Sequence, residues 1–209
     1  MTQIYDISRT ISPSIAVWPG DTRFSFRQVA DIRRGASVNL TTLTLSAHTG
    51  THADAPWHAL VDGMHPADVP LDRYIGPARV ITISRQHGGI VPEDFAGHDL
   101  SGMKRLLIHS WVSEQHDAAW PGDFPYPTVG LIDWLAERGV VLLGVDMPSV
   151  DRYDDEELTC HHRLYEHGML NLESLLLRGV PDGEYELVAL PLKIADVCGS
   201  PVRAILRAP

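Results

Sequence analysis

VVLLGVD, residues 140–146, is apolar apart from one glycine and its closing aspartate. A run of that length without polar alternation suits a strand buried on both faces, as in a sheet covered by helices. Six further segments read as strands around it: IYDIS (4–8), NLTTLTLSA (39–47), ARVITIS (78–84), KRLLIHSW (104–111), YELVALPLKI (185–194) and PVRAILR (201–207). Most are rich in β-branched residues or leucine and are bounded by Gly, Pro or Asp. Helical patterns are fewer. TVGLIDWLAERG (128–139) spaces Val129, Ile132 and Leu135 for one helical face, with Thr128 as N-cap and Gly139 as the stop. HHRLYEHGMLNLESLLLRG (161–179) favours helix but is interrupted at Gly168. Mixed strands and helices point to an α/β or α+β fold with a mixed sheet. No Ser/Gly linker or low-complexity run divides residues 1–209, so a single domain is expected.

The bulk numbers agree. A chain of 209 residues can bury a core without staples. With 44% hydrophobic and 21% charged residues it has a globular composition. A formal charge of −10 and the lack of any Lys/Arg run argue against a nucleic-acid partner. Cys160 and Cys198 are far apart and form no CxxC pair, which is neither a disulfide framework nor a zinc–thiolate site. The opening MTQIYDISRTISPS lacks the basic and apolar regions of a signal peptide, and no apolar run approaches the roughly 18 residues of a membrane span. The expectation is a soluble cytoplasmic protein.

Histidine is the unusual feature. Of the chain's 11, four fall in residues 48–65 and three in 161–167. In HTGTHADAPWH (48–58), His48, His52, Asp54 and His58 stand among Gly, Ala, Thr and Pro. The approach, NLTTLTLSA, alternates like a strand, Gly50 permits a sharp turn, and Pro56 disfavours helix at Ala55. The motif therefore belongs to a strand end and the loop after it, unlike the helical HExxH of zincins. If 52–54 is extended, His52 and Asp54 project to one side. Imidazoles and a carboxylate suit Zn²⁺ or Mn²⁺, and one Asp can bridge two ions. Surface histidines in a polar loop would leave the coincidence of four such groups unexplained, so metal binding is expected.

More ligands must come from elsewhere, and HHRLYEHGMLNLE (161–173) is the best source. A continuous helix would hold His161 and Glu173 about 18 Å apart, at about 1.5 Å per residue. Either Gly168 breaks the helix or the two residues serve different purposes. Taken alone, each histidine here reads as a helix-surface residue sooner than as a ligand. WPGD occurs twice, at Trp18–Asp21 and Trp120–Asp123. Pro-Gly makes a type II turn, and the repeat reads as two independent turns, each beside a tryptophan.

HTGTHADAPWH resembles the HxGTHxDxPxH signature of the cyclase family. HHRLYEHGMLNLE resembles that family's second motif, a His followed seven residues later by Gly and twelve later by Glu. VWPGDTRF (17–24), LLGVDMPSVD (142–151), GEYELVALPLKI (183–194) and SPVRAILR (200–207) extend the likeness over nearly the whole chain. They are similar to the members that hydrolyse N-formyl-L-kynurenine to L-kynurenine and formate in tryptophan degradation. The resemblance implies a swivelling β/β/α (cyclase-like) fold, a homodimer and a centre of two divalent metal ions, usually zinc, with manganese tolerated. It implies that His48, His52 and Asp54 bind one ion, that Asp54 bridges to the second, and that His161 binds the second while Glu173 bridges both. His58 would be the catalytic acid/base, Trp18 would contact the aromatic substrate, and metal-bound hydroxide would attack. A related amidohydrolase such as an isatin hydrolase shares this chemistry. A non-catalytic metal-binding module would share the ligands but has no evident need for His58.

Overall fold

The computed structural model describes residues 2–209. In chain order the strands are β1 (Ile4–Asp6), β2 (Ser25–Ala30), β3 (Leu40–Thr44), β4 (His52–Asp54), β5 (Ile75–Thr82), β6 (Gly89–Ile90) and β7 (Arg105–His109). They continue as β8 (Tyr126–Pro127), β9 (Leu142–Val145), β10 (Leu170–Glu173), β11 (Gly183–Val188), β12 (Gly199–Pro201) and β13 (Ile205–Arg207). The α-helices are α1 (Val129–Glu137) and α2 (Thr159–Glu166).

The main sheet runs β1-β13-β11-β5-β7-β9-β10-β4-β12. Its centre, β5 to β10, is parallel, and both flanks are antiparallel. This is the mixed sheet expected of an α/β single-domain chain. The VVLLGVD run forms central strand β9, whose four residues are all buried. A side chain at Gly144 would overlap Leu107 of the neighbouring strand and Leu175, so the one glycine of that run is a packing requirement.

The two helical patterns resolve differently. In α1, Leu131, Ile132 and Leu135 are buried, the Thr128 hydroxyl accepts from the Leu131 amide, and Gly139 closes the segment at φ +77°. In the second segment the helix is only α2. Gly168 turns the chain at φ +64°, and residues 170–173 leave as β10. The break at Gly168 thus brings Glu173 onto the sheet beside α2. Among the described residues, no helix is long and apolar enough to cross a membrane.

Three strand expectations need correction. The 39–47 segment ends at Thr44 and lies outside the main sheet, pairing only with β2 in a two-stranded ribbon. Alternation marked a strand there, but both faces are exposed, so it does not deliver His48 directly into the core. The 185–194 segment keeps its ladder only to Val188. The 201–207 segment divides between β12, at one edge of the sheet, and β13, which pairs between β1 and β11 on the opposite flank.

Candidate metal centre

The histidine motif is folded by local rules. After the ribbon, the chain turns through residues 47–51, where Gly50 takes φ +66° and packs tightly under Ile11 and Ile15. His48 lies in this turn. Residues 52–54 then extend as β4, so His52 and Asp54 share one face by the two-residue period of a strand. Pro56–His58 is a single 3₁₀ turn that carries His58 back over the cluster, its ring centroid 4.3 Å from that of His48. The β10–β4 register places Glu173 opposite His52. His161 comes from the first turn of α2.

Two triads converge on Asp54. In one, His48 Nδ1 lies 2.8 Å and His52 Nε2 3.3 Å from Asp54 Oδ1. In the other, His161 Nε2 lies 3.1 Å from Asp54 Oδ2 and 3.2 Å from Glu173 Oε1. Glu173 Oε2 also stands 3.4 Å from His52 Nε2, so both carboxylates reach both groups. Both triads are arrangements whose ligand atoms could hold a metal ion, as is a third, more exposed group of His48, His58 and Cys198.

Whether an ion fits can be judged from the polar atoms themselves. His52 Nε2 and Asp54 Oδ1 are fully buried and make no aligned hydrogen bond, despite their proximity. Buried polar atoms are otherwise almost always satisfied, and leaving one unpaired costs about 1–3 kcal/mol. Atoms that crowd together without aligning on each other are placed for a third body. The far side of each ring is also held. His52 Nδ1 meets the Gly50 carbonyl at 2.8 Å, His161 Nδ1 meets Asp151 Oδ2 at 2.5 Å, and His48 Nε2 meets Cys198 Sγ at 3.1 Å. Metal-ligating histidines characteristically have such outer partners, which fix ring orientation and tautomer. The residues fit a divalent cation.

Electrostatics give the same answer. Burial alone would lower the histidines, yet the Asp54 carboxylate and Cys198 beside it hold His48 up at about 10. For His52, the charge of Asp54 overcomes burial and holds it at about 9. His161 is pushed well above its ordinary value by hydrogen bonds to Asp151, Asp54 and Glu173, again against burial. Burial would raise Asp54, but the charge of His52 and the adjacent imidazoles of His161 and His48 drive it well below the carboxylate range. Glu173 is lowered despite burial and Asp54, by the imidazoles of His161 and His52 beside it. The cluster therefore demands positive charge, because an uncompensated buried carboxylate costs several kcal/mol. Protons on the imidazoles answer that demand in the absence of an ion, and a divalent ion would have to displace them to bind.

Of the residues singled out in the sequence, His48, His52, Asp54, His58, His161 and Glu173 are brought together. His162 and His167 are exposed, as helix-surface histidines. Trp18 belongs to a neighbouring wall: 36% exposed, its ring packs on Trp120 and Tyr153 at 5.3 and 5.2 Å. The two WPGD turns are thus not independent, since their tryptophans meet. Trp120 and Tyr153, with Phe124, Tyr126 and Arg152, line an open cavity of about 720 Å³. The 151–153 segment links the two regions, with Asp151 on His161 and Tyr153 on Trp18.

Sequence reasoning missed three participants. Asp151 accepts from the amides of Cys160 and His161 as well as from the His161 ring, capping α2 and aiming His161 with one carboxylate. Its position in MPSVD carried no spacing signal. Asn171 shares a strand face with Glu173, two residues on, which the period of a strand could have revealed. Cys198, set aside for lack of a CxxC partner, is held down at about 6 by hydrogen bonds with His48 and His58. Asp146, at the end of β9, instead accepts from the Ser110 amide and hydroxyl and the Ser113 amide, anchoring a turn.

Comparison with known proteins adds a second line. A family described as "Putative cyclase" matches residues 5–152. Kynurenine formamidase of Bacillus cereus is 43% identical over 202 residues, covering 97% of this chain and 96% of that one. The Bacillus mycoides kynurenine formamidase is also 43% identical, over 99% of this chain and 98% of its own length. Among solved structures, isatin hydrolase A from Labrenzia aggregata superposes with a TM-score of 0.85 at 26% identity, covering 99% of this chain and 94% of that one. Isatin hydrolase A from Ralstonia solanacearum shares the fold, with a TM-score of 0.83 at 23% identity over 100% of this chain and 92% of its own.

Proposed function

The chain belongs to the cyclase family, and on that premise we propose that it is an arylformamidase hydrolysing N-formyl-L-kynurenine to L-kynurenine and formate. The observation that carries the reading is the convergence of two ligand triads on Asp54 with the His58 imidazole beside them. The near full-length similarity to kynurenine formamidases selects the substrate from among the reactions such a centre can perform.

His48, His52 and Asp54 would hold one divalent ion, and Asp54, His161 and Glu173 a second. Zinc is the leading choice and manganese the other, since both accept imidazole and carboxylate. When bound, such ions supply Lewis acidity and lower the pKa of a coordinated water to about 7. The chain's own groups do the rest. Asp151, the Gly50 carbonyl and Cys198 orient the three ligating rings. His58, outside both triads, accepts a proton from water as the C–O bond forms. It returns that proton to the aniline nitrogen as the C–N bond breaks, so the amine leaves neutral. The Trp18–Trp120–Tyr153 wall offers aromatic faces for the substrate ring.

The test is hydrolysis of N-formyl-L-kynurenine and of isatin, followed by absorbance on metal-loaded protein. Turnover of the formamide in clear preference is expected. Preference for isatin would replace this reading with that of an isatin hydrolase. Bound metal with neither substrate consumed would leave a binding module.

A homodimer and a cytoplasmic setting complete the reading. The β2–β3 ribbon supports the dimer: Phe26, Val29, Leu40 and Leu43 are 46–59% exposed. An isolated two-stranded ribbon is marginal in water, and covering its apolar side chains against a second copy would stabilise it. Sedimentation should give twice the 23.1 kDa chain mass; a monomer at micromolar concentration would remove this part. Two free cysteines suit a reducing compartment.

A further inference from the structure

The second triad has a fourth neighbour. Asn171 is fully buried on β10, and its side-chain Nδ2 lies 2.6 Å from Asp54 Oδ2, 3.1 Å from Glu173 Oε1 and 3.4 Å from His161 Nε2. Those are the same three atoms that face one another at 3.1 and 3.2 Å. Four side-chain termini, from two strands and a helix turn, thus gather in one compact cluster. Nitrogen and oxygen ligands about 2.0–2.1 Å from a tetrahedral zinc have corners about 3.3–3.4 Å apart. The separations of 2.6–3.4 Å here match that size or fall below it, the shortest being Asp54–Asn171.

The amide's orientation follows from its partners. Two carboxylate oxygens require a donor, so the NH₂ faces them, while Oδ1 accepts from the Tyr165 hydroxyl at 3.2 Å. A cation among these four groups reverses the requirement, because an amide NH₂ repels it and an amide carbonyl attracts it. The remote partner tolerates the reversal, since a phenolic oxygen accepts as readily as it donates. A half-turn about the last torsion of Asn171 would present Oδ1 to the ion and Nδ2 to Tyr165, with the ring of Tyr165 unmoved. No backbone shift is needed.

We propose that Asn171 is the fourth protein ligand of the Asp54–His161–Glu173 ion, through its side-chain carbonyl, with the Tyr165 hydroxyl as the two-way partner that allows the amide to turn. The inference rests on the reading of both triads as metal sites. It gives the ion on Asp54, His161, Glu173 and Asn171 four protein ligands, the closed arrangement of structural sites.

The test counts ions per chain by mass spectrometry and measures their affinities by competition with a chromophoric chelator. Wild-type protein should bind two. Asn171→Leu, close to Asn in size, should keep one at unchanged affinity and hold the second at least about 100-fold more weakly, the upper end of what even outer-partner losses cost. Asn171→Asp, which keeps an oxygen at the same corner, should retain both, and it carries the test if the leucine variant does not fold. Two ions in Asn171→Leu at wild-type or greater affinity would overturn the proposal, as would loss of the second ion in Asn171→Asp. Fewer than two ions in the wild type would overturn the two-ion reading itself, a failure visible before either variant is compared.

Discussion

Asp54→Ala is expected to remove both ions and, with them, measurable hydrolysis. Asp54 is the one side chain common to both triads, its Oδ1 facing His48 and His52 and its Oδ2 facing His161. Truncation leaves each triad with two of its three side chains. The affinity loss should exceed the roughly 10–100-fold that follows loss of an outer partner alone. Glu173→Ala should behave similarly, since its two oxygens reach His161 and His52. Metal content after gel filtration decides the matter. Full occupancy in either variant would refute the sharing of carboxylates between ions.

His58→Ala separates the opposite way: the ions stay and turnover falls by about 10²–10⁴-fold, the usual size of acid/base catalysis. His58 belongs to neither of the two buried triads, and it sits half-buried above them on the Pro56–His58 turn. It does lie in a third possible grouping with His48 and Cys198. That grouping would make it a ligand, and the variant would then lose metal. Two ions with slow turnover therefore support proton transfer. A fall in ion count, or near-normal turnover, would remove His58 from that role.

Much of the centre was legible because its signals are local. A strand period puts His52 and Asp54 on one face, Gly50 permits the turn before them, and Gly168 ends α2 in time for Glu173 to lie on a strand. The ribbon was not legible in the same way. Alternation in 39–47 correctly marks a strand, but alternation reports pairing and not which sheet the strand joins. The twin WPGD turns were read separately because nothing local says that Trp18 and Trp120 will meet. Asp151 and Asn171 escaped notice for a related reason: their roles are defined by partners that approach from other elements.

By itself the sequence determined the chemical kind of the centre: imidazoles and carboxylates, spaced for a strand and a broken helix, in a chain whose residues 140–146 suit a strand buried on both faces. Those properties depend on neighbours a few residues apart, where backbone geometry is nearly obligatory. Only the tertiary structure decided how the pieces share atoms. His161 meets Asp54 across 107 positions of chain, and Glu173 meets His52 through the β10–β4 register. Such contacts follow from the packing of the whole sheet, in which burying charge is tolerable only where opposite charges, protons or a cation converge. That requirement, more than any single motif, draws Asp54, Glu173 and Asn171 to one point.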